Sequence, residues 1–257
     1  MSARPTLRAH TLLVGGDDRP PVILVHGAAH SGRVWTFWQD ELARRGWSSH
    51  AIDLRGHGAS AAADLGITRM ADYADDVITF ARTLRQAPVL IGWSMGGLVA
   101  MMAVMLCNAR ACVGLAPSTP ARAFDASVAL RAGVFGPDEY GIAGRDPDHQ
   151  PTMADLDRDE RVVALESLGL ESRMARDERK AGIVIAAAPC PMLVVTGTAD
   201  TQWPRQRYDD LPFSADHFEA DGVTHWGLVL NRRVLPRIGS VVSSWLEKNS
   251  RLPKQAD

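Results

Sequence analysis

The sequence Pro88-Val-Leu-Ile-Gly-Trp-Ser-Met-Gly-Gly-Leu-Val-Ala100 carries the strongest structural signal in the chain. Its β-branched, apolar beginning, Val89 to Ile91, predicts a buried strand that ends at Gly92. Apolar side chains then recur at helical spacing, at Leu98, Met101, Met102 and Met105. The sequence therefore predicts a strand that turns directly into a helix through Gly92-Trp-Ser-Met-Gly96, a G-x-S-x-G turn.

This turn places Ser94 at the point where the strand reverses into the helix. Such a reversal forces the middle residue into strained backbone angles, and its neighbours must lack side chains so that other backbone can approach. The Ser94 hydroxyl is then expected at the edge of the sheet, at the positive end of a helix. An ordinary strand-loop-helix connection, in which Ser94 only caps the helix, is the alternative.

Length and composition limit the class of protein. With 257 residues, 46% of them hydrophobic, the chain can form a single domain over residues 1–257 around one sizeable core. A net charge of −2 without a run of Lys or Arg argues against a nucleic-acid partner. The three cysteines have no metal-site spacing, so we expect no metal site.

The hydropathy of the chain bears on its localisation. No apolar run approaches the ~20 residues of a membrane helix, so no membrane association is expected. The segment Met1 to His10 has no apolar core and no cleavage signal. We therefore predict a soluble, cytoplasmic protein.

Strand-like and helix-like segments alternate along most of the chain. This rhythm predicts a mostly parallel central sheet with helices on both faces, an α/β fold. The other predicted strands are residues 11–14, 21–25, 47–52, 111–115, 192–196 and 217–220, and the other predicted helices are residues 34–45, 68–85 and 231–248. A turn is predicted at residues 15–18 and a frayed tail at residues 249–257.

Residues 118–187 interrupt this rhythm. Charged residues crowd among short apolar stretches, Gly-Pro and Asp-Pro pairs break them, and no strand-like run precedes Ile183. We predict a largely helical insertion that lies over the carboxyl edge of the sheet. Its apolar residues are too few for an independent core, so we expect some to pack on the sheet edge and others to line a substrate site. These apolar residues are Phe124, Val128, Leu130, Val134, Phe135, Leu165 and Leu168, and Phe124 and Phe135 are the candidate substrate contacts.

Acyl transfer by a serine needs a nucleophile, a base, an acid that orients the base, and an oxyanion site. Ser94 is the candidate nucleophile. His225 follows the last predicted strand as candidate base, and Asp200 follows the strand before it as candidate acid. The backbone N–H groups of Ala28 and Met95 are the predicted oxyanion hole. The chain order Ser, Asp, His is the one expected of this arrangement.

Each of these candidates has an alternative interpretation. Asp200 is also a plausible turn-capping residue, and His225 a surface histidine. His26 and His57 are interpreted as structural. Four aromatic residues near the predicted pocket either contact substrate or only pack there: His30, Trp93, Trp203 and Trp226.

Five motifs, in order, resemble those of the α/β-hydrolase superfamily. They are Val22-Ile-Leu-Val-His-Gly27, Asp53-Leu-Arg-Gly-His-Gly58, Gly92-Trp-Ser-Met-Gly96, Gly197-Thr-Ala-Asp200 and Thr224-His225. The resemblance covers nearly the whole chain and is strongest to the bacterial serine carboxylesterase and lipase branch. It implies an α/β-hydrolase fold with a helical cap after the sixth strand of the family, here residues 118–187. Relatives that cleave C–halogen or epoxide bonds carry Asp as nucleophile, whereas this chain has Ser.

The predicted function is hydrolysis of a small-molecule carboxylic ester through an acyl-enzyme intermediate, with no cofactor. Perhydrolase, thioesterase, lactonase or C–C hydrolase activity of the same triad is an open alternative. So is a non-hydrolytic ligand receptor, because the fold does not fix the function. The sequence leaves the substrate and the oligomeric state open.

Overall fold

The computed structural model describes residues 6–15 and 19–250. The strands within these ranges are β1 (Arg8–Leu12), β2 (Val22–Val25), β3 (Ser49–Asp53), β4 (Val89–Trp93), β5 (Ala111–Leu115), β6 (Val134–Phe135), β7 (Glu171–Ser172), β8 (Met192–Gly197) and β9 (Asp216–Ala220). The helices are α1 (Thr36–Arg44), α2 (Met70–Ala81), α3 (Met95–Ala103), α4 (Arg158–Glu166), α5 (Arg173–Ala181), α6 (Gly227–Leu230) and α7 (Leu235–Asn249).

Seven strands form one sheet in the order β1-β3-β2-β4-β5-β8-β9. Only β1 pairs antiparallel, with β3, and all other neighbours in this sheet are parallel. Strands β2 to β5 are buried along their whole length. For β2, β4 and β5 their continuous apolar runs predict this burial. The predicted mostly parallel sheet flanked by helices is confirmed.

Helices cover both faces of the sheet because strand side chains alternate between the faces. Along β2, Val22 and Leu24 pack into one core with residues of α1, α6 and α7. Ile23 and Val25 pack into the other core, with residues of α2 and α3.

The strand order reverses between β2 and β4. The chain leaves β2 for β3 on one side of it and later returns to β4 on the other side. At such a switch point the loops that follow the two strands diverge and leave a crevice at their carboxyl ends, which is where ligands bind in sheets of this type.

Some predicted boundaries shift. The first strand is residues 8–12 rather than 11–14, because its register is set by antiparallel pairing with β3. The predicted helix at 231–248 begins only at Leu235, because residues 227–230 form the separate helix α6. Part of the predicted turn, residues 16–18, and the tail residues 251–257 lie outside the described residues.

The insertion at residues 118–187 is not largely helical, and that expectation is wrong. It contains the nine-residue helices α4 and α5 and the two-stranded antiparallel sheet of β6 and β7, joined by 3-10 turns and irregular loops. Prolines at 120, 137, 147 and 151 remove backbone donors and disfavour longer helices in its first half. The strand before the insertion, β5, is the fifth strand of the described chain.

Candidate active site

Ser94 occupies a strained turn between β4 and α3. Its backbone angles are φ 53° and ψ −121°, a region that non-glycine residues rarely adopt. A Cβ atom at Gly92 would lie 2.2 Å from the Gly96 carbonyl oxygen, and one at Gly96 would lie 2.3 Å from the His26 carbonyl oxygen. The two glycines are therefore required for the backbone to close around Ser94 at the N-terminus of α3.

Asp200 and His225 form a hydrogen-bonded pair. His225 Nδ1 lies 2.7 Å from Asp200 Oδ2, and the buried Asp200 accepts two backbone N–H groups at Oδ1, from Gln202 at 3.0 Å and Trp203 at 2.9 Å. Burial opposes ionisation of Asp200, but the hydrogen bond and charge of His225 and these N–H groups hold its pKa below the ordinary value. An ionised Asp200 fixes the orientation of the imidazole.

Ser94 and His225 line the same pocket, whose volume is about 550 Å³ including space open to solvent. The other lining residues are Gly27, Ala28, Ala29, His30, Trp93, Pro137, Tyr140, Ile142, Leu168, Arg179, Gln202, Trp203 and Trp226. Within residues 6–15 and 19–250, no hydrogen bond joins the Ser94 hydroxyl to His225. Such catalytic hydrogen bonds often tighten only in the complex with substrate.

Two backbone N–H groups beside Ser94 are available to a bound oxygen. Ala28 lines the pocket, and Met95 is the first residue of α3. Neither N–H donates a hydrogen bond to any other described residue. The first N–H groups of a helix have no partner within the helix and favour a negative charge.

The insertion holds the loop that contains Ala28. The Ala29 N–H donates to Glu171 Oε2 at 3.0 Å, and the Gly169 N–H donates to the Ala29 carbonyl at 2.9 Å. His30 Nδ1 lies 2.6 Å from Ser167 Oγ. These contacts hold Ala29 at φ 59°, a left-handed conformation that is unfavourable for alanine. None of these partners is predicted from the sequence.

Glu171 is a fully buried carboxylate with four polar neighbours. Besides Ala29, it accepts from the Tyr73 hydroxyl at 2.5 Å and the Ser172 N–H at 2.7 Å, and His57 Nε2 lies 3.5 Å away. Burial opposes its ionisation, but the His57 charge and these donors lower its pKa to about 2. Burial likewise opposes protonation of His57, yet the Glu171 charge raises its pKa. The two opposite shifts favour an ionised pair, which links the insertion to the turn that contains His57.

Replacing Glu171 with Gln is expected to lower the free energy of unfolding by about 3 kcal/mol, because it leaves the buried His57 charge without its counter-ion. Urea denaturation of the variant and the wild type measures this difference. Glu219→Gln is the matched control, since Glu219 is exposed on β9.

The effect of Glu171→Gln should depend on pH in a defined direction. The lowered Glu171 pKa contributes stability above the ordinary value of 4.5 and loses it as the pH falls towards the folded value. The raised His57 pKa contributes stability below 6.5 and loses it as the pH rises through the folded value. The difference should therefore be largest between pH 4.5 and 6.5. A difference independent of pH would contradict an ionised pair.

Aromatic rings form one wall of the pocket. The ring centroids of Trp93 and Trp226 lie 5.2 Å apart, and His30 lies 5.2 Å from Trp93 and 4.9 Å from Trp226. Trp93 Nε1 donates to the His225 carbonyl at 3.1 Å, so Trp93 also supports the loop that carries the candidate base. Burial lowers the pKa of His30, which keeps this wall uncharged at neutral pH.

The two candidate substrate contacts in the insertion are not at the pocket. Phe124 is 55% exposed, and Phe135 is buried against Tyr140, with ring centroids 5.3 Å apart. Leu165 packs in the core of the sheet. Of the seven apolar residues considered, only Leu168 lines the pocket, because loop geometry rather than hydrophobicity decides which side chains face it.

The structural interpretation of His26 agrees with its contacts. Its Nδ1 lies 2.8 Å from the Gly27 carbonyl, and its Nε2 accepts the Leu54 N–H at 3.2 Å. Burial lowers its pKa to about 4, so the neutral ring joins the two loops. Asp53 accepts N–H groups from Gly32 and Ala59 in the same region.

A further residue that the sequence did not indicate supports the His225 loop. Asp155, in the insertion, accepts the Thr224 N–H at 3.0 Å and the Thr224 hydroxyl at 2.6 Å. A Cβ at Gly227 would lie 1.9 Å from Asp155 Oδ2, so this contact requires glycine there. The insertion therefore contacts the loops of both Ala28 and His225.

In residues 6–15 and 19–250, no helix has the length and apolar character needed to cross a membrane. No group of three or more His, Cys, Asp or Glu side chains suited to a metal ion is present in the same ranges.

Comparison with known proteins identifies the family. A model of the alpha/beta hydrolase family matches residues 22–235. Because this match spans most of the chain, the protein belongs to the alpha/beta hydrolase family, whose members are hydrolytic enzymes.

Solved structures of this fold are similar over nearly the whole chain. One is a thermophilic esterase from Thermogutta terrifontis, at 18% identity and TM-score 0.67, covering 95% of this chain and 94% of that one. Another is the monoacylglycerol lipase of Paleococcus ferrophilus, at 20% identity and TM-score 0.65, covering 95% and 100%. Tomato methylketone synthase I, in complex with β-ketoheptanoate, has 17% identity and TM-score 0.69, with coverage of 91% and 100%. At these identities the likeness shows a shared fold.

Proposed function

We propose that the protein is a serine hydrolase of small carboxylic esters. The observation that carries this proposal is the position of Ser94, in a strained turn at the N-terminus of α3 and in one pocket with His225, which Asp200 holds by a hydrogen bond. Structurally similar esterases and lipases support the same class of reaction.

In the proposed mechanism, the Ser94 oxygen attacks the ester carbonyl carbon while His225 Nε2 takes its proton. The N–H groups of Ala28 and Met95 stabilise the negative oxygen that forms. His225 then gives its proton to the leaving alcohol, and the acyl group remains on Ser94. A water molecule, deprotonated by His225, then attacks the acyl-enzyme. The acid leaves as His225 returns the proton to the Ser94 oxygen, and Asp200 keeps the imidazole oriented throughout.

A fluorophosphonate probe together with an ester panel tests this function. The probe is expected to label the native protein at Ser94, as located by peptide mass spectrometry, and the protein is expected to hydrolyse p-nitrophenyl acetate and butyrate. The heat-denatured protein is the control for non-specific labelling. A protein labelled at Ser94 that turns over no ester, thioester or lactone would contradict hydrolysis and favour a ligand receptor.

The insertion is also expected to influence which acyl chain fits. Ile142 and Leu168 are two of the aliphatic side chains that it contributes to the pocket wall. Replacing Ile142 with Ala should raise kcat/KM for longer esters relative to shorter ones by about tenfold, because a pocket methylene is worth ~1–3 kcal/mol. The panel of p-nitrophenyl esters measures this ratio.

Phe124→Ala is the matched control for this prediction. Phe124 belongs to the same insertion but is exposed and outside the pocket lining, so its truncation should leave the ranking of esters unchanged. Equal rankings for Ile142→Ala and the wild type would show that the insertion does not select the acyl chain.

A further inference from the structure

Arg179 brings a cation to the wall of the candidate active site. It lies on α5, in the insertion, and lines the pocket together with Ser94 and His225. The Ser118 N–H donates to the Ser94 carbonyl at 2.9 Å, and the Ser118 hydroxyl lies 3.5 Å from Arg179 Nη1. A single residue, Ser118, therefore contacts both the guanidinium and the backbone of the candidate nucleophile.

No carboxylate of the described residues forms an ion pair with Arg179. Its Nη2 donates to the Tyr140 hydroxyl at 3.1 Å, the Ser118 contact is long, and its Nε is buried without a hydrogen-bond partner. The neighbouring cations of α5 differ in this respect. Arg173 and Arg176 pair with Glu139, and Lys180 lies 4.0 Å from Asp177.

Two carboxylates that contact pocket-lining residues are already engaged. Asp200 holds His225 and two backbone N–H groups, and Glu171 is surrounded by His57, Tyr73 and backbone donors. Neither is free to neutralise the guanidinium. A partly buried cation without a counter-ion is costly, and a planar guanidinium offers paired donors that match a carboxylate.

We propose that the pocket takes esters that also carry a carboxylate, and that Arg179 binds this carboxylate while the ester reaches Ser94. This inference rests on the proposed ester hydrolysis and names its substrate class. The carboxylate belongs to either the acyl part or the alcohol part of the ester, and Arg179 recognises the same group in both.

Matched pairs of esters test this assignment. The acyl-side pairs are the monomethyl esters of succinic, glutaric and adipic acids against methyl butanoate, pentanoate and hexanoate. The alcohol-side pairs are acetoxyacetate and 3-acetoxypropanoate against ethyl and propyl acetate. The measured quantity is the ratio of kcat/KM for the anionic ester to that for its neutral partner.

Arg179→Gln is expected to lower this ratio about 10- to 100-fold in at least one series, since a hydrogen bond to a charged group is lost. Arg179→Lys should restore part of the ratio because it keeps the charge. Lys180→Gln is the matched control: it removes the same charge from the next residue of α5, whose side chain is 53% exposed, and should leave the ratio unchanged. The series that responds identifies the side of the ester that carries the carboxylate.

The outcomes separate this inference from the proposed function. If the wild type hydrolyses the esters and both Arg179 variants keep its ratio in every series, the carboxylate site is overturned and the esterase remains. An equal loss for anionic and neutral esters would assign Arg179 a structural role and also overturn it. Calorimetric titration of Ser94→Ala and of Ser94→Ala/Arg179→Gln with monomethyl adipate measures carboxylate binding without turnover. A failure of hydrolysis alone therefore counts against the proposed function and not against the carboxylate site.

Discussion

Replacement of Ser94 with Ala is expected to abolish ester hydrolysis, with a loss in kcat on the order of 10⁶-fold, because the nucleophile and the acyl-enzyme step disappear together. Residual hydrolysis would come from the oxyanion donors and from substrate binding alone. Stopped or discontinuous assays with a high enzyme concentration measure the remaining rate, and the fluorophosphonate label should be lost from the variant.

The fold should survive this substitution. The backbone contacts of Ser94 do not depend on its hydroxyl: its N–H donates to Leu115 at 3.0 Å, and its carbonyl accepts from Gly97 and Ser118. Circular dichroism and the thermal midpoint should therefore match the wild type. Ser240→Ala, at an exposed position of α7, is the control and should keep full activity. A folded Ser94→Ala protein with turnover comparable to the wild type would refute the assignment.

Replacement of Asp200 with Asn is expected to lower kcat by about 10⁴-fold, because it favours the His225 tautomer that cannot accept a proton from Ser94. The Oδ1 side of Asp200 accepts two N–H groups, from Gln202 and Trp203, so the oxygen of an asparagine would stay there. The asparagine NH₂ group would then face His225 Nδ1 and donate to it. The ring proton would move to Nε2, which could no longer accept the proton of Ser94.

Kinetic constants distinguish this effect from general damage. Asp200→Asn should reduce kcat while KM changes little, because Asp200 itself does not line the pocket. Asp210→Asn is the matched control, since the Asp210 side chain is 96% exposed in the same connection between β8 and β9. An Asp200→Asn variant as active as this control would mean that Asp200 serves only the turn and that another group orients His225.

Local patterns in the chain were sufficient to predict the sheet and the three candidate catalytic residues. The apolar runs of β2, β4 and β5 reflect burial on both faces, which leaves a signal in a few consecutive residues. The turn around Ser94 needs glycines at fixed spacing, so it also leaves a signal in the sequence. Asp200 and His225 follow strands of the same sheet, and parallel strands bring their carboxyl ends to one edge.

The insertion could not be predicted in this way. Its prolines and charges indicate where the β-α rhythm stops, but they do not indicate which side chains point into the pocket. Hydrophobicity alone therefore favours Phe124 and Phe135 as substrate contacts, whereas Tyr140, Ile142 and Arg179 line the wall. Loops have no sequence period that assigns a side chain to one face. The direction of a loop side chain therefore follows from contacts with residues that are distant in the sequence.

The amino-acid sequence by itself thus determined the α/β architecture, the turn that holds Ser94 and the order of the three candidate catalytic residues, since each depends on spacing within a short segment. Only the tertiary structure decided what holds the loop of Ala28 and which charged side chain lines the pocket. Glu171 meets Ala29 across 142 positions of the chain, and Arg179 meets Ser118 across 61. Such contacts depend on how the insertion packs against the sheet, and no local pattern encodes the partner of a residue so distant along the chain.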